Sequence, residues 1–553
     1  MTTLGHRPSR PDSVNLPPPP GQGASPETPD DDAIPQAYSH RQILIIMSGL
    51  MLGMFLATLD QTIVSTALPT IVGEFHRQDL LSWVVTVYLL TSTVSTPLYG
   101  KASDLYGRKR VLQLSICIFL VGSALCGLAQ NMTELIGFRA LQGIGAGGLM
   151  SLALAVIADI IPPRERGRYQ GYFSVVFVSS SVIGPLLGGF LVDSASWRWV
   201  FYVNLPLGLV ALVVINRVLH LPFTSRQVKI DWAGATLLVA GVSAILIGTQ
   251  TGGRDFAWTS PMLLGLFGAG AVLIVAFVMR ERVAAEPILP LRLLRNDTFR
   301  GTSLIGFLTG GVMFGVIIFL PQYLQVVRGT SATASGLMML PVLLGVLLTS
   351  IISGRLISRF GRYKGFVVSG TIIATGGLLL LSQLGPHTSL VVLGSWMFIT
   401  GGGMGLLMQT LVMATQSAVE TRDLGIATSS VMFFRTMGGA VCASAFGALL
   451  TNRLSVGLTH HLPPAVAREV GRSADKLVTS PEAVKALPAT VRHAIGIAYS
   501  SALGDVFMTA VPLTAVCIGL AIALREVQLR NVSGLQRAAQ EAAETEFVER
   551  SLL

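Results

Sequence analysis

The chain has 553 residues, of which 51% are hydrophobic and 12% are charged, and its mean hydropathy is +0.64. This composition excludes a soluble globular protein, because such proteins carry about 25% charged residues. The net charge of +10 does not indicate nucleic-acid binding, since the basic residues lie in short loops between apolar runs. The sequence therefore predicts an all-α polytopic membrane protein that contacts the lipid bilayer and no nucleic acid.

The first 40 residues differ in composition from the rest of the chain. They contain four consecutive prolines at 17–20, an acidic run at 30–32 and no apolar segment. Such a segment cannot bury enough apolar surface to fold, so we predict a disordered cytoplasmic tail over 1–40. A second cytoplasmic tail is predicted over 525–553, after the last apolar run.

Fourteen apolar runs lie between these tails, and each is long enough for a spanning helix, which needs about 20 apolar residues. Their predicted starts lie near Ile43, Leu80, Val111, Thr133, Gln170, Val200, Trp232, Pro261, Gly301, Ala332, Gly365, Leu390, Gly425 and Asp505. Basic residues concentrate in the loops after spans two, four and ten, which predicts that both termini are cytoplasmic. The long polar segment 452–504 is then an extracellular loop. Arg outnumbers Lys, as in high-GC bacterial genomes, so we expect a multi-pass protein of the bacterial plasma (inner) membrane.

An internal repeat divides the chain. The loop after span two reads GKASDLYGRKR from Gly100, and the loop after span ten reads GRLISRFGRYK from Gly354. The two loops are eight spans apart, which predicts two six-helix halves, 41–220 and 283–524, with two inserted helices over 221–282. Paired halves that enclose a midplane site are typical of transporters that work by alternating access.

One acidic residue, Asp60, lies deep in the first span. A charged side chain there costs about 2.5 to 3.5 kcal/mol on insertion scales, so a functional role is the first hypothesis. Burial disfavours the charged form, so this group could carry a proton; alternatively, it is a structural residue whose partners are hydroxyls such as that of Thr62. Arg139 in span four lies at a similar depth, given a rise of about 1.5 Å per residue. We expect Arg139 to pair with Asp60, either as part of proton coupling or as a fixed tie between helices, and Gln142 shares the face of Arg139.

The loop after span two carries candidate gating residues. Gly100 and Gly107 flank Asp104, whose carboxylate could accept a hydrogen bond from a helix N-terminus in the opposite half. Arg108 and its basic neighbours would stay at the anionic inner surface. A plain positive-inside loop would explain the charges, but not Asp104 or the two glycines.

Two further spans contain unusual residues. Span five has Gly184, Pro185, Gly188 and Gly189 within one apolar run, and we assign them to gating as well. The pattern permits bending that suits rocking of the halves, or alternatively ordinary close packing. Span thirteen has Arg435 near mid-depth, next to Phe433 and Phe434, and a charge at that depth should line a cavity. We expect Thr62, Gln142, Phe433, Phe434 and Arg435 to line the substrate cavity. The four cysteines are interpreted as packing residues, and we expect no metal ion, no cofactor and no catalytic residue.

Five segments in order resemble the fourteen-helix drug:proton antiporter branch of the major facilitator superfamily: LDQTIVSTALP, GKASDLYGRKR, RALQGIGAGG, GPLLGG and WRWVFYVNLPLG. The resemblance implies the major facilitator fold, proton coupling by Asp60 and Arg139, gating by Asp104 and Arg108, and an antiporter-type fifth span at Gly184 and Pro185. The chain departs from the pattern at Ser65, where the family usually has Asn, and at Leu105, where it usually has a basic residue. Spans ten and thirteen lack the acids of some multidrug members, which argues against dicationic substrates.

The leading hypothesis is proton-driven export of small hydrophobic or monocationic compounds, that is, multidrug or antibiotic efflux, with a small-molecule substrate and protons as partners. An alternative is a dedicated exporter of an endogenous metabolite or lipid. A third hypothesis is a membrane-bound sensor or enzyme. The internal repeat argues against it, and the sequence shows no constellation of acid, base and nucleophile that an enzyme would need.

Overall fold

The computed structural model describes residues 39–77, 80–219, 231–253, 256–461, 488–527 and 529. Fourteen helices within these residues are long and apolar enough to cross a membrane. They are α1 (His40–Phe75), α2 (Leu81–Tyr106), α3 (Arg108–Leu128), α4 (Met132–Ile160), α5 (Pro163–Ser194), α6 (Trp199–Val218), α7 (Trp232–Thr251), α8 (Pro261–Glu281), α9 (Asp297–Val326), α10 (Thr333–Phe360), α11 (Lys364–Leu381), α12 (Leu390–Ala418), α13 (Leu424–His461) and α14 (Ala489–Ala523). The prediction of an all-α polytopic fold with fourteen spans is confirmed.

Several helices begin at residues whose side chains cap the free amide groups of the first turn. Ser39 and Gln42 form a complete capping box at the start of α1. Side-chain caps also occur at Asn131, Asp231, Ser260, Asn296 and Ser389. Local sequence therefore sets these helix starts, while the apolar runs set their length.

The last two helices are longer than predicted. Helix α13 continues to His461 and α14 begins at Ala489, so the predicted start near Asp505 is wrong, and the ends of the predicted loop 452–504 are helical. Arg492 and His493 interrupt the apolar run near the start of α14, which is why the hydropathy pattern placed the start too late. Residues 462–487, and almost all of the predicted tails, lie outside the described residues.

The fold consists of two six-helix halves, α1–α6 and α9–α14, with α7 and α8 inserted between them in the chain. Helices α7 and α8 pack against each other, and α7 also contacts α2 of one half and α13 of the other. The inserted pair therefore lies at the boundary of the two halves rather than in the core of either.

The repeated loops have the same backbone role in both halves. Gly107 ends α2 with a φ of 92°, and Gly361 ends α10 with a φ of 71°. Residues with a side chain rarely adopt such angles, whereas glycine does so at little cost. The second glycine of each loop therefore terminates a helix, as the internal repeat predicts.

The first glycine of each loop permits a close contact between the halves. In the first crossing, α2 meets α13, and a β-carbon on Gly100 would overlap the side chain of Ser429. In the second crossing, α5 meets α10, and a β-carbon on Gly354 would overlap the carbonyl of Gly167. Because α10 and α13 are the repeat equivalents of α2 and α5, the two crossings are equivalent, and they close the bundle at the end where α2 and α10 terminate.

Candidate functional site

Asp60 and Arg139 form a buried ion pair, as the comparison of their depths predicts. The guanidinium Nη1 of Arg139 on α4 lies 2.5 Å from Oδ2 of Asp60 on α1, and both side chains are almost fully buried. Gln142, one turn further along α4, donates from Nε2 to Oδ1 of Asp60 at 2.8 Å and accepts from Arg139 at 2.8 Å. The carboxylate is thus hydrogen-bonded through both oxygens, an arrangement that suits its ionised form.

Asn204 on α6 completes this network, and the sequence analysis missed it. Its Nδ2 donates to Oδ1 of Asp60 at 3.1 Å and to the hydroxyl of Ser123 on α3 at 3.0 Å. Asn204 is fully buried. The sequence did contain a signal for Asn204, namely its side-chain amide inside the apolar stretch after Trp197. A buried polar side chain needs a partner.

Tyr88 covers the other side of the arginine. The Cζ atom of Arg139 lies 4.0 Å from the centre of the Tyr88 ring, a distance typical of a cation–π contact. The Tyr88 hydroxyl donates to the carbonyl of Ala57 at 3.2 Å. Four helices, α1, α2, α4 and α6, therefore hold one carboxylate and one guanidinium in place, so a change of charge at Asp60 would affect all of them.

Thr62 does not line the described cavity, contrary to expectation. Its hydroxyl donates to the carbonyl of Ser180 on α5 at 3.0 Å. A β-carbon on Gly184 would overlap Thr62, and one on Gly188 would overlap Thr66, whereas Gly189 has open space around it. Sequence spacing put Thr62 near Asp60 but could not tell which helix covers it, and the structure places it in the tight contact between α1 and α5.

Pro185 lies inside α5, which continues from Pro163 to Ser194. Proline removes one hydrogen-bond donor from a helix interior and so weakens it locally. The two interpretations left open for this segment were bending and close packing. The structure shows close packing, because Gly184 and Gly188 lie directly against α1.

A cavity of about 120 Å³ lies between the two halves. The hydroxyl and amide side chains of its lining come mainly from the first half. The other lining residues include four methionines and two phenylalanines. The lining consists of Ala57, Thr58, Gln61, Leu89, Ser92, Thr93, Thr96, Ala146, Gly147, Met150, Ser151, Phe177, Met313, Phe314, Met408, Met432, Arg435 and Thr436. Asp60 is not among these residues, although its neighbour Gln61 is.

Arg435 is the one predicted cavity residue in this lining. Gln142 is instead bound to Asp60 and Arg139, behind the cavity wall. Phe433 is buried and Phe434 half-buried against apolar side chains at the boundary with α7, and their rings contact each other at 5.3 Å. Successive residues of a helix point in different directions, so three consecutive residues of α13 could not all face the cavity.

The predicted gating residues of the loop after span two lie at the first crossing, whereas those of span five lie on α5. Oδ2 of Asp104 accepts a hydrogen bond from the amide of Ile426, in the first turn of α13, at 3.0 Å. Arg108 pairs with Asp104 and donates from Nε to Asp159 at the end of α4 at 2.8 Å. The predicted contact between Asp104 and a helix N-terminus of the opposite half is thus present, and Asp159 is a member that the sequence analysis did not name.

The second crossing contains the repeat equivalent of this contact. Ser358 stands where Asp104 stands in the first loop, and its hydroxyl accepts from the amide of Arg168 on α5 at 3.2 Å. Aligning the two loops could have identified Ser358. At this position one crossing therefore uses a carboxylate with a paired arginine, and the other uses a neutral hydroxyl. Beside that hydroxyl, Arg164 of α5 donates to the carbonyls of Ser358 and Arg359 at 3.3 and 3.4 Å.

A third contact ties the inserted helices to the first crossing. Nζ of Lys101, next to Gly100, lies 2.5 Å from a carboxylate oxygen of Glu286, in the segment that follows α8. The neighbouring Glu281 accepts from the amides of Ile288 and Leu289 at 3.1 and 3.0 Å. This segment therefore has a defined shape and presents Glu286 to α2.

Comparison with known proteins gives consistent matches. Residues 50–443 match the model of the Major Facilitator Superfamily. Multidrug transporter protein MdtP of Bacillus subtilis is 39% identical over 520 residues, which cover 90% of this chain and 96% of that protein. Multidrug resistance protein 3 of the same bacterium is 39% identical over 407 residues, covering 74% and 79%.

The solved structure of the proton:xylose symporter XylE has the same fold. It aligns with a TM-score of 0.57 at 15% identity and covers 91% of this chain and 100% of XylE. At this identity the likeness concerns the fold alone. The match of residues 50–443 and the identity with MdtP assign the chain to a family of transporters rather than enzymes. The chain belongs to the Major Facilitator Superfamily.

Proposed function

We propose that the protein exports small, largely hydrophobic compounds in exchange for protons, by alternating access of the cavity between its halves. Export is supported by relatives such as the multidrug transporter MdtP. Proton exchange is supported by one observation above all, the buried carboxylate of Asp60 held by Arg139, Gln142 and Asn204.

Protonation of Asp60 would change the balance of charge in this network. The neutral acid no longer compensates the guanidinium of Arg139, and a buried charge without a partner is costly. The four helices around the pair must then rearrange or admit water. In this proposal, that rearrangement links the proton to the movement of the halves.

The moving bodies are the two halves, 41–220 and 283–524, and the inserted pair lies within 221–282. The two crossings close one end of the bundle, and we propose that this is the cytoplasmic end, with both termini on that side. The basic loops at this end favour the assignment, because such loops are retained in the cytoplasm. The membrane is then the bacterial plasma membrane.

The cavity favours hydrophobic substrates over monocationic ones. Its lining includes methionine and phenylalanine side chains, one arginine and no carboxylate. The Asp60 carboxylate already has three partners and lies outside the lining. A cationic substrate would therefore find neutral oxygen atoms and rings, but no negative partner in this arrangement.

The test uses inverted membrane vesicles with an acidified lumen and a fluorescent pH indicator. Adding an exported compound should release luminal protons from vesicles with the wild-type protein and not from vesicles with Asp60→Asn. The matched control is Asp505→Asn, since Asp505 is half-exposed and its one ion-pair partner within the described residues is Arg453. Equal proton release with Asp60→Asn and the wild type would remove Asp60 from the mechanism.

A further inference from the structure

Arg435 has no acidic partner among the described residues. Its Nη1 donates to the carbonyl of Met408 at 3.4 Å, and its Nη2 contacts the sulfur of Met432 at 3.1 Å. A long hydrogen bond to a carbonyl and a contact with a thioether are weak interactions. A guanidinium has five N–H donors, so three of them remain for another partner.

Arg435 is half-buried, and the three buried arginines of the described chain differ from it in this respect. Arg139 and Arg108 pair with aspartates. Arg166 donates to the carbonyl of Ile161 at 2.8 Å and to the carbonyl of Ala158 at 2.5 Å, and also contacts Gln416. All three have their partners within the protein itself, whereas Arg435 lines the cavity.

The rest of the lining defines what could accompany an anionic group there. Four methionines provide polarisable surface that adapts to different shapes, and two phenylalanines provide flat apolar faces. These residues are Met150, Met313, Met408, Met432, Phe177 and Phe314. A carboxylate matches the fork of a guanidinium, because its two oxygens can accept two parallel N–H hydrogen bonds. The lining thus combines one anion-binding group with apolar side chains and with hydroxyl and amide groups, most of them from the first half.

We propose that this cavity binds amphipathic organic anions, with Arg435 holding the anionic group and the methionine and phenylalanine side chains covering the apolar body. The inference deepens the proposed function by naming a substrate class, and it rests on that function only for transport. Binding itself needs neither a proton gradient nor Asp60.

The experiment measures binding of two probes of nearly equal shape, naphthoate and naphthamide, to the purified full-length protein in detergent, at a pH where naphthoate is ionised. The wild type should bind naphthoate at least about tenfold more tightly than naphthamide, as expected for hydrogen bonds to a charged group. Arg435→Gln should remove this preference while still binding naphthamide. Arg435→Lys should keep part of it, because an ammonium retains the charge but not the fork.

Arg300→Gln is the matched control, since it makes the same change in net charge at an exposed arginine, and it should keep the preference. Equal binding of both probes by the wild type, or an undiminished preference in Arg435→Gln, would overturn the inference. If Arg435→Gln binds neither probe, the lysine variant decides: a reduced preference for naphthoate supports the inference, and equal binding contradicts it.

Failure of the inference and failure of the proposed function give different results. If the protein prefers naphthoate, but its vesicles release no luminal protons on addition of any compound, the anion site is supported and proton-driven export is contradicted. If the protein exports naphthamide in exchange for protons and binds both probes equally, the proposed function is supported and the anion site is contradicted.

Discussion

Asp104 and Ser358 occupy equivalent positions in the two halves, and each accepts a hydrogen bond from a backbone amide of the opposite half, at 3.0 and 3.2 Å. The two donor amides are equivalent as well, because that of Ile426 lies near the start of α13, that of Arg168 lies near the start of α5, and these helices correspond in the two halves. The two contacts differ in charge. Asp104 is a carboxylate with Arg108 beside it, and Ser358 is a neutral hydroxyl.

We expect Asp104→Ala to open the closed end of the bundle more than Ser358→Ala does. Hydrogen bonds to charged groups contribute about 1.5 to 3 kcal/mol and neutral ones about 0.5 to 1.5 kcal/mol. Spin labels at the exposed residues Tyr106 and Phe360, with Cys117→Ser to remove the exposed native thiol, would report the distance between the halves. A long-distance population that rises equally in both variants would contradict a special role for the carboxylate.

Arg139→Leu should destabilise the protein strongly, because it leaves the buried carboxylate of Asp60 without its cation. Removing one partner of a buried ion pair costs about 3 to 5 kcal/mol. The double variant Asp60→Asn/Arg139→Leu should recover much of the lost thermal stability, since no uncompensated charge remains. Thermal unfolding in detergent measures this. A double variant as unstable as the sum of the two single variants would show that the pair does not act as a unit.

Three glycines of α5 should respond differently to alanine. Gly184→Ala and Gly188→Ala force side chains against Thr62 and Thr66, and overpacking of this kind costs about 1 to 3 kcal/mol. Gly189→Ala has open space and is the control on the same helix, with transport and thermal stability close to wild type. Transport assays and melting temperatures of the three variants test this, and a Gly189→Ala effect as large as the others would refute the packing explanation.

The ion pair between Lys101 and Glu286 should contribute to closing the first crossing. Glu286→Gln leaves the buried ammonium of Lys101 without its carboxylate, and we expect slower transport. The swapped variant Lys101→Glu/Glu286→Lys should recover part of the rate. The coupling should be about 1 kcal/mol, because Glu286 is partly exposed and solvent screens such pairs. A swap that transports no better than either single charge reversal would argue against the pair.

The sequence was not sufficient for the bounds of α13 and α14, but it was sufficient for the number of spanning helices, the repeat and the pairing of Asp60 with Arg139. Each follows from a quantity that one chain contains: the length of an apolar run, the spacing of a motif or the depth of a residue in its span. Which face of a helix meets which neighbour is not such a quantity. Thr62 was therefore expected in the cavity but contacts Ser180 of α5.

Asn204 and Asp159 were missed for a related reason. Each is polar, but neither lies in a motif whose spacing indicates its partner. Asn204 reaches Asp60 from α6, and Asp159 reaches Arg108 from the end of α4. Only the arrangement of helices brings these pairs together. A polar residue in an apolar run is the available signal, and it identifies a residue that needs a partner without naming the partner.

The unequal crossings have a consequence for the order of events during transport. The second crossing joins α5 to α10 with the neutral hydroxyl of Ser358 and two exposed hydrogen bonds from Arg164. The first crossing joins α2 to α13 with a buried charged network that Lys101 extends to the inserted helices. Because water competes for exposed hydrogen bonds more than for buried ones, we expect the free energy of separation to be lower on the α5–α10 flank of the bundle. The halves should part first between α5 and α10 and pivot about the α2–α13 side, so the opening is a lateral swing instead of a symmetric spreading.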